Sequence, residues 1–431
     1  MPGRPVACRG GRERPKGGVA LAVLLVLAAG LLGGGCASIT RLDPPPPGVT
    51  ADLPVLGIPN ARFWPDGPPD ALQREGALMH ERGRAAELPL RDSPSEAHFL
   101  ALSGGGDNGA FGAGLMNGWT EAGTRPEFAI VTGISAGALI APFAFLGPGY
   151  DAQLREVFTP AGQSDVLRLG GWLSTAFSLV FGEAAADTSP LYAMIERHAD
   201  ETMLAAIARE YARGRLLLIG TTNLDLQRPV VWNIGAIAAS GRPEALNLFR
   251  RILLASASIP AAFPPVLLDM EHEGRAYQEM HVDGGASMQV FFYPPALQLR
   301  EIDMARSAAR RRVIHVVRNG RIDLEGAPVS RGLVSVAGRS AATLLHFSGI
   351  GDINRIYLTA LRDGLDFRVA YIDAGFRADR SGPFDPDFMR ALFAYGRAAG
   401  LSGTAWSTAP PLATSLPVAP RAEPQTPAAA R

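Results

Sequence analysis

The chain is 431 residues long, 47% hydrophobic and 19% charged, and its 41 basic and 41 acidic residues leave a formal net charge of zero. A globular composition without charge excess or a basic patch gives no electrostatic case for nucleic-acid binding, and the length admits one large or two modest domains. Its 35 prolines gather toward the two ends, so the compact part is expected in the middle.

In chain order, the first predicted element is a signal peptide over residues 1–35. Arg4, Arg9, Arg12, Arg14 and Lys16 precede the apolar run Val19 to Leu32, which is short for a transmembrane helix, and Gly33, Gly34, Gly35 and Cys36 follow. The arrangement resembles a bacterial lipoprotein signal. That resemblance implies cleavage before Cys36, lipidation of Cys36, and a membrane-anchored location in the cell envelope facing the periplasm. It departs from the usual pattern at Gly33, where leucine is common; here the leucine is one place earlier, at Leu32. The other cysteine, Cys8, falls inside the signal, so the mature chain forms no internal disulfide. Residues 36–95 are punctuated by proline (DPPPPG at 43–48, WPDGPPD at 64–70), which predicts an extended tether interrupted by one helix over 73–87. At the far end, residues 404–431 are rich in Ala, Pro and Thr and are expected to be a disordered tail.

Between these ends, short apolar runs alternate with helical patterns. Strands are predicted at 98–102, 128–131, 216–220, 229–232, 281–282 and 313–317, and helices at 112–122, after Ser135, and at 249–256. Strands separated by helices predict an α/β domain over 96–403, with three α/β/α layers and a mostly parallel central sheet. Residues 151–213 read as a helical insertion after the helix that follows Ser135. Its apolar stretch GGWLSTAFSLVFG (170–182) suits either core packing or a lid that binds acyl chains.

Two motifs carry chemistry. Gly133-Ile134-Ser135-Ala136-Gly137 is a G-x-S-x-G between an apolar strand and a helix-forming run, the setting of a nucleophile elbow, with Gly133 and Gly137 giving room for a strained turn. Gly104 to Gly109 (GGGDNG) fits G-x-G-x-x-G. A dinucleotide site would also need an acidic residue at the end of the second strand, and that strand ends Val131-Thr132-Gly133, so no nucleotide cofactor is expected. Loops after adjacent parallel strands share one sheet edge. Gly104, Gly105 and Gly106 are therefore placed to offer backbone N–H groups as an oxyanion hole beside Ser135. The partner of the serine stays open at this level. Asp225 or Asp283 with His315 supplies a conventional triad order, although His315 lies inside the apolar run VIHVV. Asp283-Gly284-Gly285, just after His281, sets a carboxylate on a tight turn. No H-E-x-x-H or C-x-x-C spacing offers a metal site.

Taken together, SGGGDNG (103–109), GISAG (133–137) and DGG (283–285), with ASASIPAAFPPV (255–266) ahead of the aspartate, resemble the patatin-like phospholipases over roughly residues 97–300. The resemblance implies a patatin-like α/β fold and a serine acyl hydrolase acting on phospholipid or other acyl esters at a membrane surface. It implies a Ser–Asp dyad, with Ser135 as nucleophile and Asp283 as general base, an oxyanion hole from Gly104, Gly105 and Gly106, and no metal or cofactor. The sequence departs from the family at Asn108, where Arg or Lys is frequent. A catalytically silent lipid-binding envelope lipoprotein and a triad esterase are the alternatives. Acyl specificity and oligomeric state are not encoded in these motifs.

Overall fold

The computed structural model describes residues 41–50, 53–86, 96–160, 168–169, 186–260, 262–300, 311–323, 326 and 328–411. The expected signal, Cys36, the 170–182 stretch and the tail beyond 411 lie outside the described residues. Every described strand and helix belongs to one unit, Leu42–Arg431.

Nine strands form one sheet: β1 (Arg62–Phe63), β2 (Glu96–Leu102), β3 (Phe128–Ile134), β4 (Leu216–Asn223), β5 (Arg228–Asn233), β6 (Val266–His272), β7 (Arg275–Asp283), β8 (Arg311–Arg321) and β9 (Asp366–Ile372). Their order is β1-β5-β4-β3-β2-β8-β9, with the β6–β7 hairpin joined to β4 through β7. The pairs β9–β8, β8–β2, β2–β3 and β3–β4 are parallel. This block bears out the expected mostly parallel sheet, and its strands read as near-continuous apolar runs because both faces are covered.

Alternation along β2 shows the layering. Leu100 and Leu102 face a core shared with helices α2 (Gly109–Glu121), α3 (Ala136–Leu146) and α7 (Ala245–Ala257). Ala97, Phe99 and Ala101 face the opposite core, filled by Ile353, Ile356 and Tyr357 of the long helix α8 (Leu333–Asp363). Other helices are α1 (Asp70–Ala85), α4 (Asp151–Phe158), α5 (Ser189–His198), α6 (Glu201–Ala212) and α9 (Pro386–Ser402), besides short single turns at Pro47–Thr50 and Ile234–Ala238. Helices α4, α5 and α6 agree with a helical 151–213 insertion over its described part. Among the described residues, no helix is long and apolar enough to cross a membrane.

Three expectations need correction. Residues 36–95 are not a tether throughout: Leu53, Val55, Ile58 and Ala61 are buried in the core, and β1 pairs antiparallel with β5. Proline density obscured this short apolar stretch. The tail does not begin at 404, because Trp406 packs 4.8 Å from the Trp119 ring and Ser407 exchanges two backbone hydrogen bonds with Val369. One large aromatic side chain outweighs the composition around it. The short strand at 281–282 is the end of a hairpin, turned at Glu273 and Gly274, both at positive φ (51° and 74°).

Candidate active site

Strand β4 acts as the common ruler of the site. Its Gly220 pairs with Ile134, the last residue of β3, and the next residue, Thr221, pairs with Asp283, the last residue of β7. β3 runs parallel to β4 and β7 antiparallel, so the two strands meet end to end along the same side of β4. Ser135 and Asp283 meet at that junction, 148 positions apart in sequence.

Ser135 turns the chain from β3 into α3 at φ 54° and ψ −124°, a conformation that L-residues rarely adopt. The turn closes only with glycine on both sides. A Cβ at 133 would stand 2.4 Å from the Gly137 carbonyl oxygen, and one at 137 would stand 2.3 Å from that of Leu102. The backbone N–H of Ser135 donates to Ser256 Oγ at 3.0 Å, and that hydroxyl donates to the Gly220 carbonyl at 2.7 Å. Ser256, in the segment ahead of the β6–β7 hairpin, thereby ties the elbow to β4.

Asp283 is buried. One carboxylate oxygen accepts the Gly285 N–H at 2.7 Å, and the Ser135 side chain lies close enough to the carboxyl to favour its ionised form. Burial pushes its pKa up to about 7, against the lowering effect of Ser135 and Gly285. A carboxylate so poised takes a proton far more readily than an exposed one.

The glycine loop arrives from β2, and a Cβ on Gly104 would lie 3.1 Å from Ser135 Cβ. The three glycines are not equivalent. The Gly104 N–H is committed to the Gln289 carbonyl at 3.0 Å, whereas the Gly105 and Gly106 N–H groups have no hydrogen-bond partner among the described residues. Gly104 therefore shapes the loop, and Gly105 and Gly106 are its available donors. Gly105 is held by Asn319, whose carbonyl oxygen would be 2.0 Å from any Cβ there. Asn319 also donates to Ser103 through its N–H and its Nδ2 (both 2.8 Å), and it accepts the Gly112 N–H at 3.1 Å.

Sequence reasoning missed Gln289, Arg318, Asn319, Ser256 and Asp352. Gln289 joins both halves of the site: its carbonyl accepts from Gly104, its Nε2 donates to the Gly285 carbonyl at 3.0 Å, and its N–H donates to Asp352 at 2.7 Å. The buried Arg318 guanidinium lies 3.5 Å from Gln289 Oε1. A signal existed, since Arg318-Asn319-Gly320 is a polar triplet following VIHVV, where parallel strands deliver site residues. Asn108 carries no cation. The loop's cation is Arg380, which binds the buried Asp107 at 2.6 Å from 273 residues away. Burial raises the Asp107 pKa, with Arg380 opposing.

Both candidate histidines are engaged elsewhere. His315 sits in a cage of Trp119, Phe128 and Trp406, with Nε2 3.3 Å from His98 Nδ1, and burial holds its pKa down to about 3. The His281 ring is spent on Thr221 at 3.0 Å and Glu279 at 3.1 Å. Asp225 accepts the Met280 N–H at 2.8 Å. A cavity of about 210 Å³ lies between the N-terminal segment and residues 287–295, lined by Trp64, Met288 and Phe291 among others; neither Ser135 nor Asp283 lines it.

Residues 100–295 match the family model described as patatin-like phospholipase. No curated protein sequence matches the chain. Among solved structures, VipD from Legionella pneumophila aligns at 10% identity and a TM-score of 0.33, covering 72% of this chain and 68% of its own. The type III effector protein ExoU aligns at 13% and 0.29, covering 72% and 53%. Human GIVD cytosolic phospholipase A2 aligns at 12% and 0.32, covering 78% and 63%. This chain thus spans 53% to 68% of these neighbours' lengths, and the fold assignment rests on the sheet and the family match, not on these alignments. The matched span opens within β2, just before the glycine loop, and closes shortly after the Asp283 turn, so residues 100–295, the stretch that carries both motifs, are similar to the patatin-like phospholipases.

Proposed function

We propose that the domain hydrolyses acyl esters of phospholipids or related lipids through a Ser135–Asp283 dyad, with Gly105 and Gly106 as the oxyanion donors. The carrying observation is the juxtaposition of Ser135 with the buried Asp283 carboxyl where β3 and β7 meet along β4. Ser135 Oγ attacks the ester carbonyl carbon as its proton passes to Asp283, and the carbonyl electrons move onto oxygen. That oxyanion is met by the Gly105 and Gly106 N–H groups and by the positive N-terminal end of α3. Collapse breaks the ester C–O bond, and Asp283 returns the proton to the leaving alcohol. Water then attacks the acyl-serine as Asp283 removes its proton, and the acid leaves as that proton goes back to Ser135.

Ser135→Ala and Asp283→Asn are each expected to lower acyl-ester turnover at least about 1000-fold while the circular dichroism spectrum is unchanged. Near-wild-type turnover in Asp283→Asn overturns the dyad. The reading extends to a membrane-tethered envelope protein anchored by lipid on Cys36. Growth on labelled palmitate is expected to mark the wild-type chain and not Cys36→Ser, and equal labelling of both removes the anchor.

A further inference from the structure

Helix α8 is 31 residues long, yet only its second half packs on the sheet. It runs antiparallel to β8 and β9: it starts beyond the C-terminal end of β8 and ends just before β9 begins. Its N-terminal half is therefore on the sheet edge that carries Ser135. Gly349 marks the level of the catalytic loops, since a Cβ there would stand 2.7 Å from the Arg318 guanidinium, which reaches Gln289. Asp352, one turn on, accepts the Gln289 N–H. Residues 333–348 stand past that level, a projection of about 24 Å at 1.5 Å per residue.

The described side chains from Leu333 to Leu345 are all exposed. Leu333 (85% exposed), Val336 (47%), Leu344 (72%) and Phe347 (53%) recur at helical spacing on one stripe, which Leu358 (62%) continues. That stripe lies opposite the face on which Ile353, Ile356, Tyr357 and Ala360 are buried. Large apolar side chains on the outward face contribute nothing to the core. The charge is one-sided as well: from residue 326 to 351 the sequence holds Arg331 and Arg339 and no aspartate or glutamate.

We infer that the projecting half of α8 is the surface through which the domain docks on an anionic lipid bilayer. The apolar stripe enters the interface, the two arginines face acidic headgroups, and the edge bearing Ser135 is brought to the lipid. This rests on the lipid-hydrolase reading for its purpose, but docking is measured without turnover.

The test uses the full chain in a Ser135→Ala background with Cys8→Ser and Cys36→Ser. Phe347→Cys carries an environment-sensitive fluorophore, and Glu273→Cys serves as a control on the β6–β7 turn. Vesicles of phosphatidylcholine with phosphatidylglycerol are expected to blue-shift and brighten the probe at position 347 and leave the one at 273 unchanged. A buried apolar side chain is worth about tenfold in partitioning, so Leu333→Glu with Leu344→Glu is expected to raise the lipid concentration at half-response at least tenfold. Arg331→Glu with Arg339→Glu is expected to abolish the preference for phosphatidylglycerol. No response at 347, equal response at 273, or an emission already blue-shifted without vesicles, as a covering segment or second copy would produce, overturns the docking surface. Loss of turnover in Ser135→Ala with docking intact separates this proposal from the catalytic one.

Discussion

Burial lifts the Asp283 carboxyl from 3.8 to about 7 against the pull of neighbouring hydrogen-bond donors, and with Asp283 as the proposed base that one residue would couple activity to stability. A base must be ionised to accept a proton, so kcat/KM is expected to rise with pH to a plateau above about 7. Stability runs the other way. Between 3.8 and about 7 the folded state holds a proton that the unfolded state has released. Unfolding free energy therefore falls as pH rises through that window, by about 4 kcal/mol in full above it. The amide of Asp283→Asn cannot ionise, and its side-chain oxygen can still accept from Gly285. That variant is expected to melt higher than wild type at pH 8, with the advantage shrinking as pH falls toward 4; an unchanged difference across that range sinks the linkage. The same economy of space governs Gly105, where the Asn319 carbonyl leaves no room for a methyl group.

At the level of elements, the sequence revealed the strands that are apolar on both faces and the motifs at their ends. LALSGGG and VTGIS carry their own punctuation, so the elbow and the glycine loop were legible, and parallel pairing of β2 and β3 brings them together. What stayed hidden depends on long-range register. The meeting of Ser135 with Asp283 follows from β4 pairing with two strands in succession, and Gln289 gains its role because its backbone and side chain reach two loops at once. Hydrophobic periodicity is blind to both. The β6–β7 hairpin escaped because VLLDMEH alternates between exposed and buried positions around polar residues. His315 shows an element overriding a motif: inside β8 it is a buried neutral ring, not a proton carrier. Its folded pKa is far below the unfolded 6.5, so stability is lost as pH falls from 6.5 toward about 3. His315→Leu is expected to keep acyl-ester turnover and to unfold at lower pH than wild type in acid titrations followed by tryptophan fluorescence. Loss of turnover in a folded variant restores the triad.

Across the whole molecule, the fold is closed by residues that the motif-bearing core does not contain. Arg62 of β1 reaches Glu279 of β7 at 2.7 Å, and both side chains are nearly inaccessible to water. The guanidinium also donates to the Thr50 carbonyl at 2.8 Å and lies over the Trp64 ring at 5.1 Å. Glu279 in turn holds His281 and Asn223. The N-terminal segment is thereby fastened to the strand whose last residue is Asp283. Removing one partner of a buried pair costs more than the pair itself contributes, because the remaining charge loses both its partner and its water. Arg62→Met is expected to lower unfolding free energy by about 3–5 kcal/mol in urea titrations. Arg62→Met with Glu279→Gln removes the stranded charge and is expected to recover a substantial part of that loss. A single-variant cost below about 1 kcal/mol makes the N-terminal segment peripheral to the fold. The larger cost, recovered in the double variant, makes residues before β2 part of the catalytic domain, and turnover in Arg62→Met then falls together with the population of folded protein.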